Sequence, residues 1–328
     1  MKYTVERSLL QDQPVVILQD DSGRRARVAC HGAALLGFEV PRDGRPFDIA
    51  AGYRDAAEIG ARPGSRFAVM VPFAGRIADA RYRFDGRGHD LQPGAAPGQR
   101  ESRHGFVRDT DFAVAQLAAD AASARVTMTA SVGKHPGYPY AITLSVSMVL
   151  DAVGLTLEAR MRNSGDEPAP CFFGWHPYFR VSDGIVNEWM LEVPAHTLIR
   201  TGSDMIALPG NAAYVPLTAA PELDFRRSRL IGDSVLDQGY TDLIADADGR
   251  IRTRLMDPIT GLVITVWQER GVMHVFTGDT LKRDGRRSVA LEPMECMADA
   301  FNRPEWAAAL RLNPGAERVY RCGVAAAA

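Results

Sequence analysis

The amino-acid sequence predicts an all-β protein built from antiparallel strands. Residues 141–150 and 154–163 both alternate apolar and polar side chains, which is the pattern of a strand with one buried face. Residues 125–132 show the same alternation shortly before them, so the three segments are expected to be neighbouring strands. The chain shows no strand–helix–strand alternation, which argues against a parallel, doubly wound sheet.

Turn residues separate the predicted strands. Residues 151–153 are short enough to connect two strands as a hairpin. The segment Asp-Pro-Ile-Thr-Gly at 257–261 predicts a second hairpin between residues 251–256 and 262–268. Helical patterns are weak. Residues 303–312 predict one short helix, and the alanine-rich residues 112–123 are ambiguous, because alanine favours helix while the surrounding pattern favours sheet.

The chain is expected to form a single domain. Its 328 residues would by length alone favour two domains, but large all-β folds often reach this size as one. No linker rich in Pro, Gly or Ser divides the chain, and no repeat of the propeller or solenoid kind is present. We therefore expect residues 1–328 to be one antiparallel β domain.

Composition and charge exclude several classes of function. The chain has 38 Lys and Arg against 40 Asp and Glu, a formal net charge of −2, so the basic surface typical of nucleic-acid binding is not expected. No apolar stretch reaches the roughly 20 residues that span a bilayer, and the first residues lack the apolar core of a signal peptide. We expect a cytoplasmic protein that binds neither nucleic acid nor membrane.

Metal and nucleotide sites are not indicated either. The four cysteines, Cys30, Cys171, Cys296 and Cys322, are scattered and form no CxxC pair, so we expect reduced thiols. The seven histidines include no HxH, and no glycine-rich phosphate loop follows a predicted strand. The sequence thus predicts no metal and no cofactor.

Four short segments combine His, Arg or carboxylate side chains with glycine and aromatic residues. They are residues 73–77, 103–108, 174–179 and 291–295, and a weaker fifth segment is 239–243. Each alone has an ordinary structural explanation. A His beside aromatic residues more often packs in a core than catalyses a reaction, and an Asp in a tyrosine-containing loop is usually a turn residue.

Together and in this order, the segments resemble the aldose 1-epimerase family, also called galactose mutarotase-like. The likeness rests on Gly-Arg-Ile at 75–77, His-Gly-Phe at 104–106, His-Pro-Tyr-Phe at 176–179 and Glu-Pro at 292–293, and it spans roughly residues 25–320. The resemblance implies a large antiparallel β-supersandwich with few short helices. It also implies an isomerase that interconverts the α and β anomers of an aldose.

The resemblance gives roles to five residues. Glu292 is implied as the catalytic base and His176 as the acid, while Arg76, His104 and Asp242 are implied as ligands of the sugar. His104 is expected to support the ring oxygen or a neighbouring hydroxyl, and the other two ligands are expected to hold further hydroxyls. Three more aspartates lie near the last of these in sequence: Asp237, Asp246 and Asp248.

Two positions depart from the family pattern. The Asn that the family places before the Arg is Gly75 here, which removes an amide donor and acceptor. The Tyr often found before Thr-Gly is Phe276. These departures weigh against galactose as the particular substrate.

The implied chemistry needs one base and one acid. The base takes the proton of the anomeric hydroxyl while the acid protonates the ring oxygen, and the open aldehyde then rotates and closes on its other face. Reclosure returns both protons, so the scheme needs no cofactor. Trp175, Tyr178 and Phe179 would either offer aromatic faces to the sugar or pack the core. A sugar is the expected partner, and the choice between monomer and homodimer stays open.

Within the segment 291–295, only one of the two carboxylates is expected in the cleft. Glu292 and Glu295 are an odd number of residues apart, so on an extended strand they point to opposite faces. We expect the Glu292 carboxylate to face the His176 ring across a gap the size of a sugar.

Two other classes of function remain open. A carbohydrate-binding β-sandwich without catalysis would use the aromatic residues but would not need a paired acid and base. A glycoside hydrolase or lyase would rely on two carboxylates about 5–10 Å apart, which Glu292 with Asp242 would supply. A phosphorylated sugar is also open, because basic residues at 282–283 and 286–287 would suit phosphate, although such charge runs are more often solvated loops.

Overall fold

Strands dominate the computed structural model, which describes residues 2–96, 98–133 and 135–327. The first fourteen strands are β1 (Tyr3–Leu10), β2 (Gln13–Asp20), β3 (Arg25–Ala29), β4 (Leu35–Arg42), β5 (Arg45–Asp48), β6 (Ala68–Met70), β7 (Arg76–Ile77), β8 (Arg81–Phe84), β9 (Arg87–Asp90), β10 (Ser102–Arg103), β11 (Ala113–Ala119), β12 (Ser123–Val132), β13 (Ile142–Asp151) and β14 (Leu155–Asn163). The remaining strands are β15 (Ala169–Pro170), β16 (Gly174–His176), β17 (Tyr178–Phe179), β18 (Met190–Glu192), β19 (Ala195–Ile199), β20 (Tyr214–Pro216), β21 (Arg229–Leu230), β22 (Asp237–Leu243), β23 (Ile251–Met256), β24 (Val263–Gln268), β25 (Val272–Phe276), β26 (Val289–Met294), β27 (Arg311–Leu312) and β28 (Glu317–Ala327).

Helical structure is short throughout the described residues. The α-helices are α1 (Ala56–Ala61) and α2 (Ala307–Leu310). Single 3₁₀ turns occur at Pro63–Ser65, Ala78–Ala80, Val107–Asp109, Val186–Glu188, Gly210–Ala213, Leu217–Ala219, Pro221–Leu223, Ala300–Asn302 and Pro304–Trp306. None of the helices in these ranges is long and apolar enough to cross a membrane.

The strands form three large antiparallel sheets. Strands β1 to β5 pair in chain order. A nine-stranded sheet has the order β11-β12-β13-β14-β28-β24-β23-β18-β21. An eight-stranded sheet has the order β20-β19-β22-β25-β26-β16-β6, with β17 also paired to β26. Short two-stranded pairs, β7 with β10, β8 with β9 and β15 with β27, complete the pairing, so the all-β prediction is confirmed.

Both predicted hairpins are present, and an aspartate holds each turn. The Asp151 carboxylate accepts hydrogen bonds from the backbone N–H groups of Val153 and Gly154, which closes the turn between β13 and β14. The Asp257 carboxylate accepts from the N–H of Ile259 and the hydroxyl of Thr260 between β23 and β24. An aspartate side chain commonly stabilises a turn by such hydrogen bonds, so both turns could be predicted from the sequence.

The alanine-rich segment, which was ambiguous in the sequence, forms a strand, and the predicted helix near the C-terminus forms only in part. Residues 112–123 contain strand β11, because pairing with β12 outweighs the helix propensity of alanine. The helix predicted at 303–312 is only partly formed: a 3₁₀ turn leads into the four-residue α2, and the chain then enters β27. Pairing of β27 with β15 ends the helix early.

One hydrophobic cluster joins the three large sheets. It includes Val16 of β2, Leu144 of β13 and Val275 of β25, all fully buried. In the eight-stranded sheet, all six residues of β26 are buried, including Glu292. A carboxylate on such a strand has little contact with water, and this sets the chemistry of the site.

Candidate active site

Neighbouring strands of the eight-stranded sheet bring polar side chains together. Glu292 on β26 is directly opposite His274 on β25, and His274 is opposite Gly239 on β22. On the other side of β26, the pairing of β16 and β17 brings His176 level with Glu292. Side chains at one level of adjacent strands project from the same face and meet.

Pro177 explains why β16 ends at His176. Proline has no N–H to donate to a ladder, so the pairing with β26 is interrupted between β16 and β17. The Pro177 carbonyl still accepts from the N–H of Leu291 at 3.1 Å, which keeps the two strands in register.

The His176 and Glu292 side chains are in contact. Nε2 of His176 lies 3.3 Å from Oε1 of Glu292, and the two side chains are 8% and 4% exposed. The expected sugar-sized gap between them is therefore wrong. Adjacent strands lie only about 4.8 Å apart, so groups at the same level meet directly and leave no room for a ring between them.

Burial shifts the pKa values of this pair in opposite directions. Loss of water raises the pKa of Glu292 to about 8, an effect that the nearby charge of His274 reduces and that of Asp237 increases. Burial, assisted by the positive charge of His274, lowers the pKa of His176 to about 3. A carboxylate with a raised pKa is a stronger base, and an imidazolium with a lowered pKa is a stronger acid.

A second polar pair, His274 with Asp237, lies beside the first. His274 Nε2 is 2.7 Å from Asp237 Oδ1. Burial alone would lower the pKa of His274, but the hydrogen bond to Asp237 and the charge of Glu292 raise it above the ordinary value. Burial alone would raise the pKa of Asp237, but the hydrogen bond from His274 holds it below the ordinary value. The two groups thus favour an imidazolium–carboxylate pair next to Glu292.

These four side chains line a cleft of about 670 Å³, which is within the range of small-molecule sites. His104 and Arg76 line the same cleft, as the resemblance implied. The His104 ring meets the His176 ring edge-on at 5.1 Å, and burial holds the pKa of His104 well below the ordinary value. Within the described chain, Nδ1 of each ring is buried without a hydrogen-bond partner.

The short antiparallel pair of β7 and β10 places Arg76 at the cleft. Arg76 lies on β7, opposite Arg103 of β10, and the N–H of His104 donates to the Gly75 carbonyl at 2.8 Å. Among the described residues, the one ion pair of Arg76 is a long contact with Glu101 at 3.7 Å, which leaves its guanidinium available to a ligand.

The structure does not bring Asp242 to the cleft. Asp242 is exposed, and its carboxylate accepts the Thr197 hydroxyl proton at 2.5 Å. Asp237, at the start of the same strand β22, lines the cleft instead. The two aspartates lie five residues apart on β22, and the φ of +51° at Asp242 shows that the backbone is no longer extended there. Of the two, Asp237 is therefore the aspartate that lines the cleft.

Glu292 and Glu295 are separated as expected. Glu295 lies outside the cleft, where its carboxylate accepts from the Phe173 N–H at 2.9 Å and from Arg270 at 2.5 Å. Of the three aromatic residues considered, only Tyr178 lines the cleft, while Trp175 and Phe179 are buried in the core.

Gly75 has a structural reason. Its φ is +66°, and a Cβ there would lie 2.6 Å from the Cβ of Ala298. Ala298 occupies the space that the family's Asn side chain would need, so the departure at this position is matched by close packing.

Other ligand chemistry has little support in the part of the chain that is described. No group of three or more His, Cys, Asp or Glu residues there is arranged to hold a metal ion. All four cysteines are buried and free. The expectation that no cofactor is needed stays a prediction.

Sequence reasoning missed Asp237 and His274 as site residues. Asp237 had been one of several nearby aspartates, and His274 is a lone polar residue in an apolar strand. The available signal was alternation: on β25, His274 and Phe276 share a face, and both line the cleft.

The fold and cleft define an all-β protein with a buried histidine–glutamate contact in a concave site of small-molecule size. The aldose 1-epimerase family model matches residues 14–324, so the chain belongs to that family. The uncharacterized protein YihR of Escherichia coli (strain K12) is 27% identical over 237 residues, covering 71% of each chain. A maltose epimerase of Levilactobacillus brevis is 27% identical over 236 residues, covering 70% of this chain and 66% of that protein.

Solved structures agree on the fold. The GalM/aldose epimerase homologue from C. elegans superposes with a TM-score of 0.84 at 17% identity, covering 96% of this chain and 99% of that one. At such low identity the likeness shows the fold, and the predicted galactose mutarotase-like β-supersandwich is confirmed.

Proposed function

We propose that the protein is an aldose 1-epimerase, an isomerase that interconverts the α and β anomers of an aldose. The observation that carries the proposal is the contact of His176 Nε2 with Glu292 Oε1 inside the cleft. Membership of the family and the name of the maltose epimerase relative support a sugar epimerase.

The proposed reaction needs one proton on the pair. Burial favours a protonated Glu292 beside a neutral His176, while the reactive form has a carboxylate beside an imidazolium. These forms contain the same number of protons and differ by one transfer across 3.3 Å. Sugar oxygens that hydrogen-bond to both groups replace lost water and favour the charged form.

In that form the two residues act on neighbouring oxygens of the sugar. Glu292 takes the proton of the anomeric hydroxyl as His176 gives its proton to the ring oxygen, and the C1–ring-oxygen bond breaks to leave an aldehyde. After rotation, the ring oxygen attacks the other face of C1, returns its proton to His176, and the new hydroxyl regains one from Glu292.

Three further groups position the sugar. His104, held neutral by burial, contacts the ring oxygen or a neighbouring hydroxyl, and Arg76 donates to another hydroxyl. Asp237, in place of Asp242, accepts from a hydroxyl while His274 keeps it ionised.

The two alternative functions, a glycoside hydrolase or lyase and a sugar-binding protein without catalysis, have less support. The hydrolase or lyase that paired Glu292 with Asp242 has less support, since Asp242 is outside the cleft and the second carboxylate there, Asp237, is bound to His274 at 2.7 Å. A binding protein without catalysis would not need a buried acid–base contact, whose desolvation is costly. A cytoplasmic location, independence of any cofactor, and a sugar as the partner, without nucleic acid or membrane, are parts of the proposal.

The test is anomer exchange, measured by NMR exchange spectroscopy across a panel of aldoses with purified protein. Exchange faster than the spontaneous rate for at least one aldose is expected, and a Glu292→Gln variant should lower that enhancement at least ~10²-fold. Sugar binding without faster exchange would support the binding protein, and release of free sugar from a glycoside would support a hydrolase.

A further inference from the structure

The cleft is far more basic than the chain as a whole. The chain has a formal net charge of −2, yet six arginines and one lysine line the cleft against two carboxylates, Asp237 and Glu292. With burial raising the pKa of Glu292 to about 8, one of those two negative charges is largely absent at neutral pH. Clefts lined by one sign of charge concentrate ligands of the opposite sign.

Some of these basic groups are neutralised by the protein. Arg62 pairs with Asp109 at 2.8 Å, and Arg283 pairs with Glu58 at 2.8 Å. Arg66, Arg108 and Lys282 have no carboxylate within ion-pair distance anywhere in the described residues. A negatively charged ligand in the cleft would be the counter-ion of these three side chains.

Arg66 is the most buried of the three, at 1% exposed. Its guanidinium donates to the carbonyls of Ala51 at 2.7 Å and Arg283 at 3.2 Å, which are neutral acceptors. Burial lowers the pKa of Arg66 and the charge of Arg283 lowers it further, whereas Tyr178 and Asp284 raise it, so the protein offsets the cost of burying this cation only in part. A buried charge is normally paired with an opposite charge, and Arg66 lines the cleft, where a ligand could supply one.

Arg66 is also aligned with the catalytic pair. Its guanidinium carbon lies 5.0 Å from the centre of the Tyr178 ring, and that ring stacks on His176 at 5.0 Å with 21° between the planes. The Arg66 cation and the proposed acid therefore both contact the same aromatic ring.

Arg108 is tied to the same end of the cleft. Its Nη1 donates to the hydroxyl of Ser65 at 2.8 Å, in the residue next to Arg66. The positive charge of Arg108 contributes to lowering the pKa values of His104 and His176, so Arg108 also lies near the proposed acid–base pair. Lys282 is exposed at the margin of the cleft.

The adjacent basic pair at 286–287 has a different role. Arg286 is bound by Asp279 at 2.6 Å and by Asn187 at 3.0 Å, and Arg287 donates to the Asp183 carbonyl at 3.0 Å. Neither lines the cleft. The anion-binding character belongs to the cleft itself rather than to the whole charge run.

We infer that the aldose bound in this cleft carries an anionic group, held by Arg66 and Arg108 with Lys282 at the margin. The inference rests on the proposed function and names its substrate class. A phosphate, a sulfonate and a carboxylate share the oxyanion that a guanidinium binds through charge-assisted hydrogen bonds. A neutral aldose would provide no counter-ion for these three positively charged side chains.

Anomer exchange of matched glucose derivatives tests the inference. Glucose and galactose are compared with glucose 6-phosphate, glucuronate and 6-deoxy-6-sulfoglucose, each corrected for its spontaneous rate. Each charge-assisted contact is expected to give about a 10-fold gain, so kcat/KM should be about 100-fold higher for at least one anionic sugar. The three anionic sugars differ in shape and charge, so their order identifies the group. Equal or higher kcat/KM for both neutral sugars would overturn the inference.

Substitutions of single basic residues test which of them bind the anionic group. Arg108→Gln should lower the ratio of anionic to neutral kcat/KM about 10-fold, mainly through KM, and Lys282→Gln should lower it by a smaller factor because its charge is exposed. Arg287→Gln, outside the cleft, is the matched control and should leave the ratio unchanged. A ratio unchanged in both cleft variants would overturn the inference even if one folded poorly.

Calorimetric titration of the same sugars into the wild-type protein separates the two proposals. Binding of anionic sugars only, without faster exchange of any sugar, would contradict the epimerase and support the anionic ligand class. Fast exchange of neutral sugars, with no preference for anionic ones in binding, would support the epimerase and overturn the anionic class.

Discussion

Nε2 of His176 lies 3.3 Å from Oε1 of Glu292, and the two residues occupy adjacent strands of one sheet. Because backbone pairing fixes both strands, the contact does not depend on a flexible loop. In the proposed reaction, a sugar must therefore approach the pair from the open side of the cleft and present its anomeric hydroxyl and ring oxygen to both groups together.

Replacement of the proposed base should affect turnover, not folding. Glu292→Gln should lower kcat at least ~10²-fold with sugar binding largely kept, which is the lower end for a lost general base. Glu295→Gln is the matched control, because Glu295 binds Arg270 and the Phe173 N–H outside the cleft. It should lower the free energy of unfolding by about 1–3 kcal/mol and leave kcat nearly unchanged. Equal losses of kcat in two folded variants would indicate a two-carboxylate mechanism.

The pH dependence should report the shared proton. Catalysis needs one transferable proton on the His176–Glu292 pair, and the pair holds it between the pKa values of about 3 and about 8. We expect kcat/KM, corrected for spontaneous exchange, to be flat near pH 6 and to fall tenfold per pH unit above about 8. A kcat/KM that rises through pH 8 would contradict this assignment.

His274 should set the position of that alkaline decline. Its positive charge lowers the pKa of Glu292, so His274→Gln should raise that pKa and move the decline to higher pH. His196→Gln, at an exposed position on β19, is the control and should leave the profile in place. A profile that does not move in the His274 variant would show that His274 has no electrostatic influence on the base.

The close packing at Gly75 predicts a coupled pair. Gly75→Asn should lower the melting temperature, because its Cβ would lie 2.6 Å from that of Ala298. Adding Ala298→Gly should restore part of the loss, since the methyl group is removed while the backbone stays near. Thermal unfolding of the two single variants and the double variant measures the coupling. Strictly additive losses would mean that the two positions do not interact.

The strands could be predicted because their alternation is local. Segments 141–150 and 154–163 correspond to β13 and β14, and turn chemistry at Asp151 marked their junction. The order of strands in each sheet could not be predicted in this way, because the pairing of β14 with β28, for example, joins distant parts of the chain.

The site was predicted in part. His176, Glu292, His104 and Arg76 followed from the resemblance, and the structure gathers all four in one cleft. Asp242 was expected in the cleft but Asp237 lies there instead, and the sequence does not show which end of β22 meets the cleft. The unpaired state of Arg66 was beyond sequence reasoning, because it depends on which carboxylates the fold places nearby.

The His176–Glu292 contact also links the proposed activity to folding. Its two residues come from β16 and β26, which meet only when the middle of the eight-stranded sheet has formed. Pairing between segments so far apart in the chain carries a large entropic cost and forms late. Anomer exchange would thus serve as a reporter of completed sheet assembly. During denaturation, no species in which β16 and β26 have separated should retain turnover, so activity should be lost no later than the pairing of this sheet.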